Sequence, residues 1–395
     1  MTHKRPVLRR KLLAWVQGRP GKFFGKSLRY LSEPLQQVDR TFVLHCGRRL
    51  SYFGGCDYFR LSSHPVVLAA LREGVEKFGL NVAASRRTTG NHALYEELEY
   101  EIAEFFGVEA AVLLPSGYTA NLAAAQLLAC NFFTHVLADE RTHLSLKDAW
   151  RMLECDSPLH VLGHRDARGA ALTAKLLGKP AKLILLTDGL FSHSGQVAPL
   201  DEYLRLLPKN VPLLVDDAHG AGTIGPTGRG TVEFLGVRSP RIIQTITLSK
   251  AFGVYGGAVL ASRRFCEHVV ALSRVFIGGT PLPLPLANAA LASLRILRDD
   301  TSLRRRLVFN AGYVKAALRE AGIELSDGPG PIVPLIPRND RERAALQRRL
   351  FAANIHPPFI RYPGGNDKGY FRFAISSEHT AAQLDGLVTA LTRRA

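Results

Sequence analysis

The chain has 395 residues, 46% of them hydrophobic and 22% charged. That is an ordinary globular composition, long enough for a large domain and a smaller one, and no apolar run approaches the roughly 20 residues of a membrane-spanning helix. The net charge is +17, but the basic residues are scattered and no recognition motif accompanies them, which argues against nucleic acid; a positive field instead steers anions, such as an acidic small molecule or an acyl-carrier partner.

The chain begins with a basic stretch in which the first acid is Glu33. Arg and Lys between His3 and Lys11 alternate with Val7, Leu8, Leu12, Leu13 and Val16. This pattern predicts an N-terminal arm or helix packed on a partner subunit; a transit peptide or a basic membrane-surface helix has the same texture. Leu94, Leu98, Ile102 and Phe105 recur every three or four residues and predict a helix over Ala93–Phe106, ended by Gly107. Ala110–Leu114 reads as a buried strand and 120–128 as an Ala/Leu-rich helix. Further strands are predicted at 135–137, 160–162, 183–187, 213–216, 242–248 and 257–260, with helical stretches between several of them. The alternation predicts an α/β fold with a mostly parallel central sheet flanked by helices.

After Pro285 the texture changes. One long helical run is predicted over 286–321, then a Gly/Pro-rich loop at 327–331, a strand at 332–336, a helix at 341–353, a strand at 371–375 and a final helix at 380–391. The chain is therefore divided into an N-terminal region (1–60), a large domain (61–285) and a smaller C-terminal α+β domain (286–395). The five cysteines, Cys46, Cys56, Cys130, Cys155 and Cys266, are odd in number and form no CxxC pair. A disulfide framework and a zinc site are not expected, and a cytoplasmic location fits.

Four segments carry chemistry. In Thr245-Ile-Thr-Leu-Ser-Lys250-Ala-Phe-Gly253 a β-branched strand delivers a lysine at its end. A buried amine there is costly unless it is paired or neutral, and such an amine suits a Schiff base with an aldehyde cofactor; an exposed strand-end lysine is the plainer alternative. Thr247 and Ser249 offer hydroxyls to a phosphate. In Leu213-Leu-Val-Asp216-Asp217-Ala-His219-Gly220 an apolar strand places two carboxylates and a histidine at its C-terminal edge, where open α/β sheets bind ligands. One carboxylate can keep a pyridine nitrogen protonated. A metal would need a third ligand, and none has suitable spacing. In Leu114-Pro-Ser116-Gly117-Tyr118-Thr119-Ala-Asn121 a strand turns into a helix whose start suits a phosphate. In Ala138-Asp-Glu-Arg-Thr-His143-Leu-Ser145 a histidine after a strand either stacks on a flat ring or caps the next helix.

In order and separation these segments resemble fold-type I pyridoxal 5′-phosphate (PLP) enzymes, and within them the α-oxoamine synthase family. The resemblance runs from about Ser51 to the C-terminus. It is sharpest in the segment from Val215 to Gly222, in Pro226-Thr-Gly-Arg-Gly230, in the segment from Thr247 to Gly253 and in Gly90-Asn-His-Ala-Leu-Tyr-Glu-Glu-Leu-Glu99. It implies the aspartate aminotransferase-like, PLP-dependent transferase fold and a homodimer with shared active sites. It also implies the roles. Lys250 carries PLP and later moves the α-proton, Asp216 pairs with the pyridine nitrogen, His219 contacts the ring oxygen and His143 stacks on the ring. Ser116, Gly117, Tyr118, Ser192 and Thr247 handle the cofactor, and Thr280 reaches the phosphate of the neighbouring subunit. Arg372 grips the amino-acid carboxylate, a task suited to a planar guanidinium; the alternative for Arg372 is a surface arginine on an edge strand.

The implied reaction is condensation of an α-amino acid with an acyl thioester of CoA or acyl carrier protein, with loss of CO2, to an α-amino ketone. Aminotransferase or lyase/aldolase chemistry on the same cofactor is the alternative. The pattern breaks in places. The family's Asn-Asp-Tyr-Leu-Gly-Leu reads Cys56-Asp57-Tyr58-Phe59-Arg60-Leu61, the glycine-rich stretch reads Asn81-Val-Ala-Ala-Ser-Arg-Arg-Thr-Thr-Gly90, and Phe-Ser-Met-Asp-Gly-Asp reads Phe191-Ser-His-Ser-Gly-Gln196.

Overall fold

The computed structural model describes residues 34–129, 133–153, 157–361 and 369–393. The expected N-terminal arm lies outside them, as do Cys130 and Cys155. The described residues from Gln37 onward belong to one compact unit, and among the described residues no helix is long and apolar enough to cross a membrane.

A seven-stranded sheet organises this unit. In spatial order its strands are Ala110–Leu114, Gly257–Ala261, Ile242–Thr247, Leu213–Asp216, Leu183–Asp188, His135–Asp139 and Leu159–Leu162. Gly257–Ala261 runs antiparallel to both its neighbours, and the pairings from Ile242–Thr247 to Leu159–Leu162 are parallel. Leu183–Asp188 and Leu213–Asp216 are buried along their whole length, as expected of strands covered by helices on both faces. The parallel strands end together, so Asp139, Asp188, Asp216 and Thr247 all reach one edge of the sheet.

The helix Ala93–Phe106 begins at His92, whose ring nitrogen caps Leu94 N–H at 3.1 Å, and stops at Gly107 in the left-handed region at φ 67°. Its Leu98 and Ile102 are fully buried, each worth about 1.5–3 kcal/mol. The predicted run over 286–321 is two helices, Leu284–Asp299 and Thr301–Glu320. Asp300 breaks it: its backbone leaves the helical region, and its carboxylate accepts Ser302 N–H at 2.9 Å, starting the second helix as an N-cap. The helix Pro65–Phe78, absent from the sequence reading, packs on Leu284–Asp299. They approach so closely that a Cβ at Gly74 would sit 2.7 Å from Pro285 Cα.

A smaller sheet has the order Ile332–Leu335, Tyr370–Ala374, Phe359–Ile360, all antiparallel. Phe371 and Phe373 pack into a core with Val314, Leu318, Leu346, Leu387 and the distant Phe53.

Candidate active site

Lys250 lies three residues past the end of Ile242–Thr247, in the turn before Gly257–Ala261. Burial pushes its amine below the ordinary lysine value; Cys56, Asp216 and Asp188 oppose that shift to the extent that each is ionised, and Arg372 adds to it. These four side chains therefore surround the amine electrostatically, although they come from four separate segments.

Asp216 ends its strand buried among donors. Oδ2 accepts Asn121 Nδ2 at 2.6 Å and Ser145 Oγ at 3.4 Å, and Oδ1 accepts Ala218 N–H at 3.1 Å. Asn121 is held in register because its Oδ1 accepts Thr245 Oγ at 2.6 Å. Asp217 points elsewhere. It accepts Thr231 N–H at 2.7 Å, Thr231 Oγ at 2.6 Å and Gln244 Nε2 at 2.8 Å, inside the protein. Only one of the two sequence carboxylates thus faces Lys250; the other ties the turn after the strand to the chain at Thr231.

His219 is buried, and its Nδ1 lies 2.7 Å from Tyr58 Oη. Burial first, and then the positive charges of Lys250 and Arg372, hold its imidazole well below the ordinary value, so it is neutral near pH 7. His143 is half-buried at the start of helix Leu144–Leu153, with its Nδ1 2.7 Å from Ser145 Oγ and its main-chain N–H donating to Asp188 at 2.9 Å. Burial lowers its pKa against the charge of Asp216. His143 caps this helix, its Nδ1 accepting Ser145 N–H at 3.2 Å.

Ser116 caps the next helix, Gly117–Ala129: its Oγ accepts Thr119 N–H at 3.2 Å and its carbonyl accepts Ala120 N–H at 3.0 Å. The N–H groups of Gly117 and Tyr118 are the ones this cap does not use. A Cβ at Gly117 would meet Thr247 Cβ at 2.8 Å, so glycine lets the helix start lie against the strand that leads to Lys250. The Tyr118 hydroxyl is turned to Asp148. Thr247 Oγ lies 2.8 Å from Ser249 Oγ. Ser192 sits at the tip of a turn, 190–197, closed by the Leu190–Val197 bridge just beyond Asp188. Thr280 is exposed and lines a cavity with Pro115 and Arg86.

Arg372 occupies the middle strand of the small sheet, not an edge, and its Nη2 donates to Cys56 Sγ at 3.5 Å. The altered stretch before Gly90 has structural employment. Ser85 Oγ donates to Ile277 O at 2.6 Å, and Arg86 is paired with Glu99, which also accepts Leu113 N–H. Sequence reasoning gave no role to Asn121, Ser145, Tyr58 or Asp188. Two of them carry a signal: Asn121 is a polar residue in an Ala/Leu-rich helix, and Asp188 ends an all-buried strand.

The donor set fits PLP. It offers a half-buried lysine whose amine is pushed below its ordinary value, a carboxylate fixed by three donors, a neutral imidazole and a helix start with two N–H groups that the Ser116 cap does not take, beside a glycine cradle. The sheet order and this edge define a PLP-dependent transferase fold. The model of the family "aminotransferase class I and II" matches residues 54–391. The 8-amino-7-oxononanoate synthase of Thioalkalivibrio sulfidiphilus is 35% identical over 392 residues, covering 97% of each chain. That of Xylella fastidiosa strain M12 is 38% identical, covering 88% of this chain and 86% of its own. Among solved structures, serine palmitoyltransferase from S. paucimobilis with PLP and myriocin bound matches with a TM-score of 0.84 at 26% identity, covering 98% of this chain and 96% of that one. The 8-amino-7-oxononanoate synthase of Francisella tularensis matches with 0.74 at 27% identity, covering 87% and 97%. The chain belongs to the aminotransferase class I and II family and, within it, to the α-oxoamine synthases.

Proposed function

We propose that the chain is a PLP-dependent acyltransferase that joins an α-amino acid to an acyl thioester, of CoA or an acyl carrier protein, and releases CO2 to leave an α-amino ketone. The observation that carries this reading is the half-buried Lys250 just past the end of its strand, its amine pushed below its ordinary value near Asp216, Asp188, Cys56 and Arg372. PLP, when bound, supplies an electron sink in its protonated ring. Lys250 would hold its aldehyde carbon and Asp216 its pyridine nitrogen, with His219 at the ring oxygen and His143 on the ring face. The Ser116–Gly117–Tyr118 helix start, Ser192 and Thr247 would hold the rest, with Thr280 contributed to the site of the partner in a homodimer.

The chain's own residues then have distinct tasks. Arg372 orients the amino acid by its carboxylate, a task suited to a planar guanidinium beside the Cys56 thiol. Lys250 Nζ would take the α-proton; an amine pushed below its ordinary value is suited to that work. With PLP bound as the electron sink, the overall reaction would release the thiol of the thioester and CO2. We further propose a cytoplasmic enzyme.

The reading is tested by incubating the holoprotein with a panel of amino acids and acyl thioesters and measuring free thiol. Thiol release with one pair is expected; amino-group transfer to an oxoacid without thiol release would favour the aminotransferase alternative. Borohydride reduction and peptide mapping should leave a pyridoxyl tag on Lys250.

A further inference from the structure

Asp188 and Asp216 are register partners at the ends of adjacent parallel strands, so their side chains leave the same face of the sheet one strand spacing apart. Both are buried. Asp216 collects three donors from Asn121, Ser145 and Ala218. Asp188 accepts the main-chain N–H of His143 at 2.9 Å. Resting on the functional reading above, we propose that Asp188 is a positioning residue that works as a hydrogen-bonding group and not as a charge, anchoring His143 beside the donor-held side chain of Asp216.

The electrostatics agree. Two carboxylates this close do not both ionise in a buried site. Asp216 has the better solvated position, since three donors face its oxygens. Burial, then the charges of Asp216 and Asp139, push Asp188 well above the carboxylate range, and only the His143 N–H and the Lys250 charge oppose this. Lys250 is itself held toward its neutral form. The anchor matters because His143 sits between two fixed points: its main chain on Asp188 and its ring on Ser145, which in turn donates to Asp216.

The test compares Asp188→Asn with Asp188→Ala. Asparagine keeps an acceptor for the His143 N–H without a charge; alanine removes it. The PLP dissociation constant should rise about tenfold in the alanine variant and be restored to within about threefold of wild type in the asparagine variant. The induced circular dichroism of the bound cofactor should follow the same order. Equal loss in both variants would mean that the charge is what the site uses, and would overturn the proposal.

A second measurement needs no cofactor, so it separates failure of this proposal from failure of the functional reading. An acid whose folded pKa is raised binds its proton more tightly in the folded chain, so its contribution to stability falls as pH rises. The apoprotein of Asp188→Asn should therefore melt no lower than wild type, with a gap that widens in its favour between about pH 5 and 8. A lower melting temperature for the asparagine variant at the upper end of that range would show an ionised, paired Asp188 and would also overturn it.

Discussion

Tyr58 and His219, 161 residues apart in the chain, meet inside the protein with Oη 2.7 Å from Nδ1. The phenol is fully buried and burial raises its pKa well above the ordinary value, so it keeps its proton; the imidazole is neutral for the same physical reason. When the phenol donates to Nδ1, the ring proton is fixed on Nε2, where it can be donated to the oxygen of a bound ring. Tyr58→Phe keeps the packing and removes this control. Cofactor affinity should fall by about fivefold to tenfold, the cost of one buried hydrogen bond, with a small change in melting temperature. Equilibrium titration of PLP into the apo-variant checks this.

Asp216→Asn is expected to separate cofactor retention from turnover. The carboxylate accepts from Asn121 Nδ2, Ser145 Oγ and Ala218 N–H. An amide can satisfy Ala218 or Asn121 with its one oxygen, and must turn an N–H group toward the other. On the proposed reading it would also no longer keep a pyridine nitrogen protonated. Turnover should fall at least about a hundredfold, measured on samples whose PLP content has been determined by absorption. Near-full turnover would remove Asp216 from the role of ring anchor.

Much of this arrangement was legible in the sequence because it is local. The strand that ends in Asp216 is aliphatic up to that residue, the one that leads to Lys250 is β-branched apart from Gln244, and the structure ends them within one residue of expectation. Gly107 marked a helix end because nothing but a left-handed residue could follow there. What was not legible depends on pairing over long distances. Nothing near Asp188 says that the sheet will set it opposite Asp216, since register is a property of two strands. The run over 286–321 read as one helix because its apolar period continues across residue 300, and the capping chemistry of Asp300 outweighs that period. Asp216 and Asp217 are neighbours in sequence, but alternation along extended backbone sends them to opposite sides.

That separation gives Asp217 a different expected phenotype. Burial pushes its carboxyl up to about 7, against the hydrogen bonds from Thr231 and Gln244. Between its ordinary value of 3.8 and about 7 the folded chain holds a proton that the unfolded chain has released, so this contribution to stability is lost as pH rises through that window. Asp217→Asn should flatten the decline, seen as a weaker pH dependence of the urea midpoint between about pH 4.5 and 7. Asp217→Ala leaves two Thr231 donors and the Gln244 amide buried without their acceptor, and should cost about 3 kcal/mol or more. If the alanine variant were as stable as wild type but inactive, Asp217 would belong to the chemistry instead.

Lys315 provides the last prediction, and it links the two sheets. The side chain is buried on helix Thr301–Glu320, and its Nζ donates to Gly328 O at 2.8 Å and Gly330 O at 2.5 Å. Burial pushes the amine down to about 8. The segment it clamps lies against the turn that carries Ser192. Ser326 Oγ donates to Ser194 O at 2.8 Å, and Gly330 N–H to Gly195 O at 3.3 Å. A Cβ at Gly328 would come within 2.1 Å of Gly195 O, so the two backbones touch and no side chain can stand between them. Lys315→Met fills the same channel but leaves both carbonyls without a donor. Stability should fall by about 2 kcal/mol, and because the clamp is released from the Ser192 turn, PLP should dissociate faster from the variant than from wild type at a temperature where both are fully folded. A variant that lost stability while its PLP dissociation rate stayed unchanged would confine Lys315 to the packing of the smaller sheet and sever it from the cofactor turn.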